Sequence, residues 1–482
     1  MNLKIIRTII GWILLFEAAF LLFPVSVGLF YHEYRVCLIY TGVALCCFLP
    51  GFVCIRKKNE IMVGQIYIRE GFAAVSLSWI VLSAFGALPF VLTGEIPNFI
   101  DAMFETVSGF TTTGASIVSD VEALSRTSLF WRCFTHWIGG MGIFVFIMAV
   151  LPMLGSRSLN LIRAESPGPS VGKFLPKLQE SSLLLYAIYI GLTMIGFICY
   201  LSSGMTPYEA ATMIFGTVGT GGFGIYNDSI ASFTPLQQNL MTVFMILSGV
   251  NYSVYFCILS GNLRQVFSYE EVRYYLLIIL ASILFISHNI YHMIGSFGTA
   301  VRHAAFQVAS IITTSGFSTV DFDLWPEMSR NILVILMIIG ACAGSTGGGF
   351  KVSRVLILVK SIGKEIQSII HPQRIKKLYL DKVSLEEETI RSTSAYAAIY
   401  SIILLASCLL IAVDNLDFTT NFTAVLATLN NIGPGLSLVG PTHTFDVYSY
   451  FSKCVLIFDM LAGRLELFPV LILFSPACWR KY

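Results

Sequence analysis

Charge is what this sequence has least of. Only 12% of its 482 residues are Asp, Glu, Lys or Arg, against about 25% in a soluble globular domain. With 56% hydrophobic residues and a mean hydropathy of +0.77, the chain lacks the polar groups to cover a water-facing surface of its size. That excludes a soluble fold and leaves a polytopic helical membrane protein. The formal net charge is only +2, which argues against a nucleic-acid partner. The eleven cysteines contain no C-x-x-C and sit mostly in apolar runs. Their scatter fits no zinc or disulfide framework, so they read as small packing residues. The first apolar stretch, near 5–30, has no small-residue cleavage site after it and reads as a span rather than a signal peptide.

What is abundant is apolar sequence of membrane-spanning length, about 20 residues at a time. Ten spans are expected, near 5–30, 36–55, 71–93, 129–151, 182–203, 238–261, 274–297, 331–349 (continuing past 350), 394–413 and 450–474. With these spans, 23 of the 30 Lys and Arg residues fall on one side and six on the other, with Arg464 inside the last span. The positively charged side is the cytoplasmic one, so both termini are expected there. One missed span would scramble this asymmetry.

Four outer connectors, between spans three and four, five and six, seven and eight, and nine and ten, share one plan. Each holds a short semi-apolar segment followed by small polar residues and glycine: "SGFTTTGAS" (108–116), "GTVGTGGFG" (216–224), "SIITTSGFST" (310–319) and "TLNNIGPGLS" (428–437). Aligned on one glycine, Thr112-Thr113-Gly114, Gly219-Thr220-Gly221, Thr314-Ser315-Gly316 and Asn431-Ile432-Gly433 correspond, with the glycines 107, 95 and 117 residues apart. This is a fourfold internal repeat of span, short helix, glycine loop and span. The chain divides accordingly: 1–65, two extra spans; 66–180, the first repeat; 181–272, the second; 273–391, the third; 392–482, the fourth. Thr206-Pro207-Tyr208-Glu209 supplies an N-cap, a first-position proline and a capping-box glutamate for one short helix, and Asp417 a cap for another.

Such helices, of about 8–13 residues, are too short to cross a bilayer. They must turn back, and the non-helical return needs water, protein or an ion for its carbonyls. That is the chemistry of a cation filter, in which carbonyl and Thr oxygens replace a hydration shell. Glycine permits the positive φ that aligns carbonyls, and the short helices point partial negative charge at the centre. Small residues packing helices closely would explain one such loop, but not four at matched positions. The fold expected is therefore all-α and integral to the membrane, with ten spans and four pseudo-symmetric membrane–pore-loop–membrane repeats around one ion pore.

The eighth span carries "GACAGSTGGGFK" (340–351). Gly344, Ser345, Thr346, Gly347, Gly348 and Gly349 make a poor helix interior, since each Gly costs about 1 kcal/mol relative to Ala. The helix should break there. Arg464 in the tenth span is a functional candidate by default, with a structural pairing to Asp459 or Glu466 as the plainer explanation. Glu105, Asp228 and Asp321 lie near the outer mouth and would concentrate cations. Other motifs fail on context. Gly219, Gly221 and Gly224 match the G-x-G-x-x-G spacing but follow no strand. "HNIYH" (288–292) lacks the zinc-protease glutamate, and "GSTGGGFK" has Phe350 where a Walker loop has Lys. No nucleophile–base or metal set supports an enzyme.

The four loops, with "HWIGGMGI" (136–143), "GSTGGGFKVSR" (344–354) and "LAGRLELFPVL" (461–471), make the chain resemble the Trk/Ktr/HKT cation transporter superfamily over nearly its whole length. The two extra N-terminal spans resemble the TrkH branch. The resemblance implies a multi-pass bacterial cell-membrane protein, a homodimer with one pore per subunit, and potassium as the transported ion. It implies a filter glycine in each repeat, here Gly114, Gly221, Gly316 and Gly433, and an intramembrane gate formed by residues 344–349 with Arg464. It also implies a cytosolic, nucleotide-binding TrkA-like regulatory subunit that holds any nucleotide. A secondary transporter coupling potassium to sodium or protons is the alternative.

Overall fold

A computed structural model describes residues 3–56, 68–154, 178–262, 266, 268–373, 377–381 and 383–480. The inner-side basic residues within 57–67, 155–177 and 374–376 lie outside the described residues. So do Arg264, Lys382 and Lys481.

Among the described residues the fold is all-helical apart from one two-stranded hairpin. In chain order come α1 (Leu3–Phe20), α2 (Leu22–Phe30) and α3 (Tyr34–Arg56). The first repeat follows as α4 (Ile68–Thr93), α5 (Phe99–Phe110) and α6 (Arg126–Leu154). The second is α7 (Leu178–Ser202), α8 (Pro207–Gly219), α9 (Pro235–Ser248) and α10 (Tyr252–Leu259). The third is α11 (Glu270–Ile294), α12 (Phe297–Ile312), α13 (Glu327–Ile339) and α14 (Val352–Ile370). After the hairpin β1 (Tyr379–Leu380) and β2 (Val383–Ser384), the fourth is α15 (Glu387–Ile411), α16 (Phe418–Leu429), α17 (Tyr450–Arg464) and α18 (Phe468–Leu471).

Among the described residues, six helical stretches are long and apolar enough to cross a membrane, with α1 and α2 together forming one of them. Three expected spans instead prove to be broken. The sixth bends by 91° between α9 and α10. The eighth leaves the helix at Gly340 and resumes at Val352. The tenth ends its first helix at Arg464 and resumes at Phe468. Arg464 is thus a helix C-terminus, where a cation is favoured, rather than a residue deep inside a continuous span.

The short helices hold 12, 13, 16 and 12 residues, so the third exceeds the expected length. Their starts follow local chemistry. Asn98 accepts from Ile100 N at 2.8 Å. Thr206 and Glu209 form the full capping box. Asp417 accepts from Thr420 N at 3.0 Å. Each short helix packs between the last long helix of the preceding repeat and that of its own: α5 between α17 and α6, α8 between α6 and α9, α12 between α9 and α13, α16 between α13 and α17. This closes a ring of four repeats in chain order. Helices α1–α3 stand outside it, against α4 and α6.

Candidate ion-binding pore

All four short helices end in the same way. Thr112, Thr220, Thr314 and Asn431 adopt left-handed φ of 56°, 55°, 59° and 56°. Their N–H groups donate three residues back, to Gly109, Thr217, Ile311 and Thr428 carbonyls at 3.1–3.3 Å. The next residues, Thr113, Gly221, Ser315 and Ile432, donate five residues back, to Ser108, Gly216, Ser310 and Ala427 carbonyls at 2.8–2.9 Å. This pair of bonds is a Schellman cap. A left-handed conformation costs a non-glycine residue about 1–2 kcal/mol, and three of the four here are threonines.

One position further, the chain returns to positive φ at Gly114, Gly222, Gly316 and Gly433 (82°, 88°, 77° and 98°). The expected alignment was therefore one residue out in the second loop. The equivalent triplet is Thr220-Gly221-Gly222, not Gly219-Thr220-Gly221. The run "GTGG" offers several glycines to align on, and only the backbone distinguishes them.

These glycines close the ring. A Cβ on Gly114 would run into the Gly221 carbonyl, on Gly222 into that of Ser315, on Gly316 into that of Ile432, and on Gly433 into that of Thr113. Each loop abuts the next in chain order, and the fourth abuts the first. Gly114, Gly222, Gly316 and Gly433 all line a cavity of about 130 Å³. The C-termini of four helices converge on it, so partial negative charge collects at its floor.

The ring is buttressed by residues that sequence reasoning misassigned or missed. Glu105 is buried. It pairs with Arg132 at 2.5 Å and accepts from Ser116 and Ile117 N at 3.0 Å. It is an internal strut, not a free acid at the outer mouth; its partner is 27 positions away and only the fold brings it near. Arg132 also donates to Gly224 O at 2.9 Å and lies 3.6 Å from the centre of the Phe223 ring. Asp321 caps Asp323 N at 3.0 Å, and Asp228 lies 3.4 Å from Ser232 Oγ. His136 lies 2.8 Å from Gly109 O through Nδ1 and accepts from Phe223 N at 3.0 Å through Nε2, tying the first loop to the second. It opens the "HWIGGMGI" run (136–143), but nothing in the residue order gives it this role.

Directly beneath lies the 340–351 segment, which is non-helical. Its two feet meet: Phe350, Lys351 and Val352 N donate to Ile338, Ile339 and Ala341 carbonyls at 2.9–3.2 Å. Its head reaches the ring, where Gly348 N donates to Thr314 Oγ1 at 2.6 Å. Gly347 and Gly348 lie against the Thr313 and Asn430 carbonyls. The side of the loop fits the break between α9 and α10: Cys342 N donates to Gly249 O and Tyr252 N to Gly344 O, both at 3.1 Å. Glu271, buried at the start of α11, accepts from Ala343 N at 2.7 Å and Ser353 N at 3.1 Å.

Arg464 joins the layers. It donates to Thr112 Oγ1 at 3.1 Å, Thr346 O at 3.0 Å and Gly139 O at 2.7 Å. The acids suggested as its partners are engaged elsewhere. Asp459 accepts from Ser407 at 2.7 Å, and Glu466 pairs with Arg354. Lys351 donates to Gly347 O. Three broken helices and the cations Lys351, Arg354 and Arg464 therefore gather under the ring.

A membrane chain whose four repeats each contribute a re-entrant loop to one central ring is a pore-loop transport protein. The comparisons agree with that class and narrow it. The TrkH family model, described as "Cation transport protein", matches residues 39–481. The Trk system potassium uptake protein TrkH of Salmonella typhimurium is 35% identical over 491 residues, covering all of both chains. The Trk system potassium uptake protein TrkG of Escherichia coli is 32% identical, covering all of this chain and 99% of its own. The crystal structure of the potassium transporter TrkH from Vibrio parahaemolyticus superimposes with a TM-score of 0.87 at 31% identity, with both chains fully covered. The chain belongs to the TrkH family of cation transport proteins, a family of transporters and not of enzymes.

Proposed function

We propose that this protein takes up potassium across the cell membrane through a channel-like filter. The filter residues are Thr112-Thr113-Gly114, Thr220-Gly221-Gly222, Thr314-Ser315-Gly316 and Asn431-Ile432-Gly433. The observation that carries this reading is the closed ring: four left-handed turns with carbonyls and glycines in register, at the C-termini of four convergent helices. Carbonyl rings of this kind replace the hydration shell of a cation. Glycine at the third filter position of every repeat, and relatives named as potassium uptake proteins, favour potassium.

The 340–351 loop is the gate. It fills the space below the ring, and Arg464 both holds it and presents a positive charge to an approaching cation. The gate helix α14 leads to the inner connector, the natural point of action for a cytosolic nucleotide-binding regulatory subunit. Relatives carry the name of a Trk system, which fits an assembly of several components, with this chain as a homodimer of two pores. Both termini face the cytoplasm, on the charge asymmetry, and the units are 1–65, 66–180, 181–272, 273–391 and 392–482.

The test is flux in liposomes holding the purified protein, under opposed potassium and sodium gradients, with and without the cytosolic partner. Potassium should run down its own gradient. Uphill potassium movement driven by sodium would replace the channel reading with coupled transport.

A further inference from the structure

Helices α15 and α17 present matching apolar stripes to each other and do not close on them. Ile403, Ala406 and Leu410 lie on one face of α15, and Phe451, Cys454 and Phe458 on one face of α17. Both sets have the i, i+3, i+7 spacing of a packing stripe. Between them lies a crevice of about 300 Å³. The two helices are tied at its floor, where Ser407 Oγ donates to buried Asp459 Oδ1 at 2.7 Å.

The crevice has a definite depth. On the orientation proposed above, α15 runs outward from Glu387 to Ile411 and α17 inward from Tyr450 to Arg464. The stripes therefore lie in the outer half of the bilayer, along about 10 Å of helix. Its surroundings are apolar: Ile402, Leu405 and Leu409 beside it are 65%, 67% and 76% exposed. Lys453, the basic residue of this part of α17, is buried and pairs with Asp101 and Asp446. No lining side chain carries a charge, and the Ser407 hydroxyl is already given to Asp459. A lipid head group finds no partner here. Apolar cavities of about 150 Å³ already stay dry and take up hydrocarbon, and at this depth the surrounding medium is hydrocarbon.

We infer that the α15–α17 crevice holds an acyl chain of an outer-leaflet phospholipid, bound through its hydrocarbon alone, and that this chain braces the fourth filter loop. The same two helices grip that loop. Tyr400 OH on α15 accepts from Asn430 Nδ2 at 2.8 Å, and Met460 O on α17 accepts from Asn431 Nδ2 at 2.9 Å. Tyr400 is one turn from Ile403, and Met460 follows Asp459. The spacing of α15 and α17 therefore sets the fourth loop, and the chain between them sets that spacing. The bracing rests on the filter reading above; the chain site does not.

The test uses the purified chain in phosphatidylethanolamine–phosphatidylglycerol liposomes, with a small fraction of one lipid carrying a photoreactive diazirine in its acyl chain. The proteoliposomes are fused with excess unlabelled lipid before irradiation, so passing lipid is diluted and a held chain stays. Label should map to 403–410 and 451–458 at least about tenfold above exposed Leu45 and Leu49 of α3, with either head group. Ala406 is itself exposed, so its variants should fold. Ala406→Trp fills the crevice with an indole: label should be lost and potassium-over-sodium selectivity kept. Ala406→Gln puts a polar amide there: label should be lost and selectivity should fall about tenfold. Label spread evenly over the lipid-facing helices, dependent on the head group, or surviving Ala406→Trp overturns the site. Label on α3 with none in the crevice means that protein covers it, and overturns the site as well. Parent-like selectivity in Ala406→Gln, or lost selectivity in Ala406→Trp, overturns the bracing alone. A parent chain that does not prefer potassium overturns the filter reading and leaves the chain site standing.

Discussion

The four outer loops and the intramembrane loop beneath them are alike in composition and opposite in how they are held. Each outer loop hangs from its own helix by two backbone bonds that span three and five residues. The 340–351 loop is held from afar: by Glu271, 72 positions from Ala343, by Thr314, 34 positions from Gly348, and by Arg464, 118 positions from Thr346. A loop closed locally keeps its shape when its neighbours move. A loop anchored by distant groups is freed when a few of them let go. The first property suits ion selection and the second suits gating.

The largest expected effect breaks the local side of this contrast. Gly222→Ala sets a Cβ against the Ser315 carbonyl at φ 88°. A penalty of about 3 kcal/mol corresponds to about a hundredfold loss in potassium flux. Gly224→Ala, whose nearest neighbour atom would be 3.8 Å away, should transport as the parent does. Equal loss in both variants would put the ring register in the wrong place.

Next comes the distant anchor. Arg464→Ala removes three hydrogen bonds and the positive charge below the ring. Basal cation flux in liposomes should rise at least about tenfold, the effect of losing even one charged-group hydrogen bond at the low end of about 1.5–3 kcal/mol. Unchanged flux would reject the barrier role.

A smaller rise is expected for Glu271→Gln, which keeps an acceptor oxygen for Ala343 and Ser353 but not its charge. Neutral bonds are about half as strong, so basal flux should rise only a few-fold, with Glu271→Ala rising further. Parent-like flux in both would show that the loop is held from elsewhere.

The smallest effect concerns the hairpin. Asp381 accepts from Glu270 N at 2.5 Å, next to Glu271. Burial holds its carboxyl above the usual carboxylate range, outweighing the lowering by that N–H. A raised folded-state pKa means stability that is lost as pH rises through it. Asp381→Asn should abolish this part of the pH dependence of thermal stability and change flux little. A steeper pH dependence in the variant would contradict the assignment.

Local features were legible in the residue order because their partners are close in sequence. Thr206 with Glu209, Asp417 with Thr420, and the glycine-driven helix break at Gly340 all need only a few neighbouring residues. The four-loop repeat was legible for the same reason, since each copy carries its own short helix and glycine. Long-range pairs were not. Glu105 stood in the sequence as a mouth acid because Arg132 reaches it only in the fold. The bend between α9 and α10 contains Gly249, Val250 and Asn251, with no proline to announce it. It exists beside the returning 340–351 loop, which bonds to Gly249 and Tyr252. Arg464 was legible as unusual, but its three acceptors come from three different helices and loops.

By itself the sequence determined the membrane class, the fourfold plan, the short capped helices and the residues offered to the ring, because apolar run length and helix capping are properties of neighbouring residues. Tertiary structure alone decided which glycine of "GTGG" enters the ring, which acids serve as struts, and where the 340–351 loop rests. Those outcomes depend on carbonyls and side chains brought together from distant parts of the chain, and a sequence does not display the distances between them.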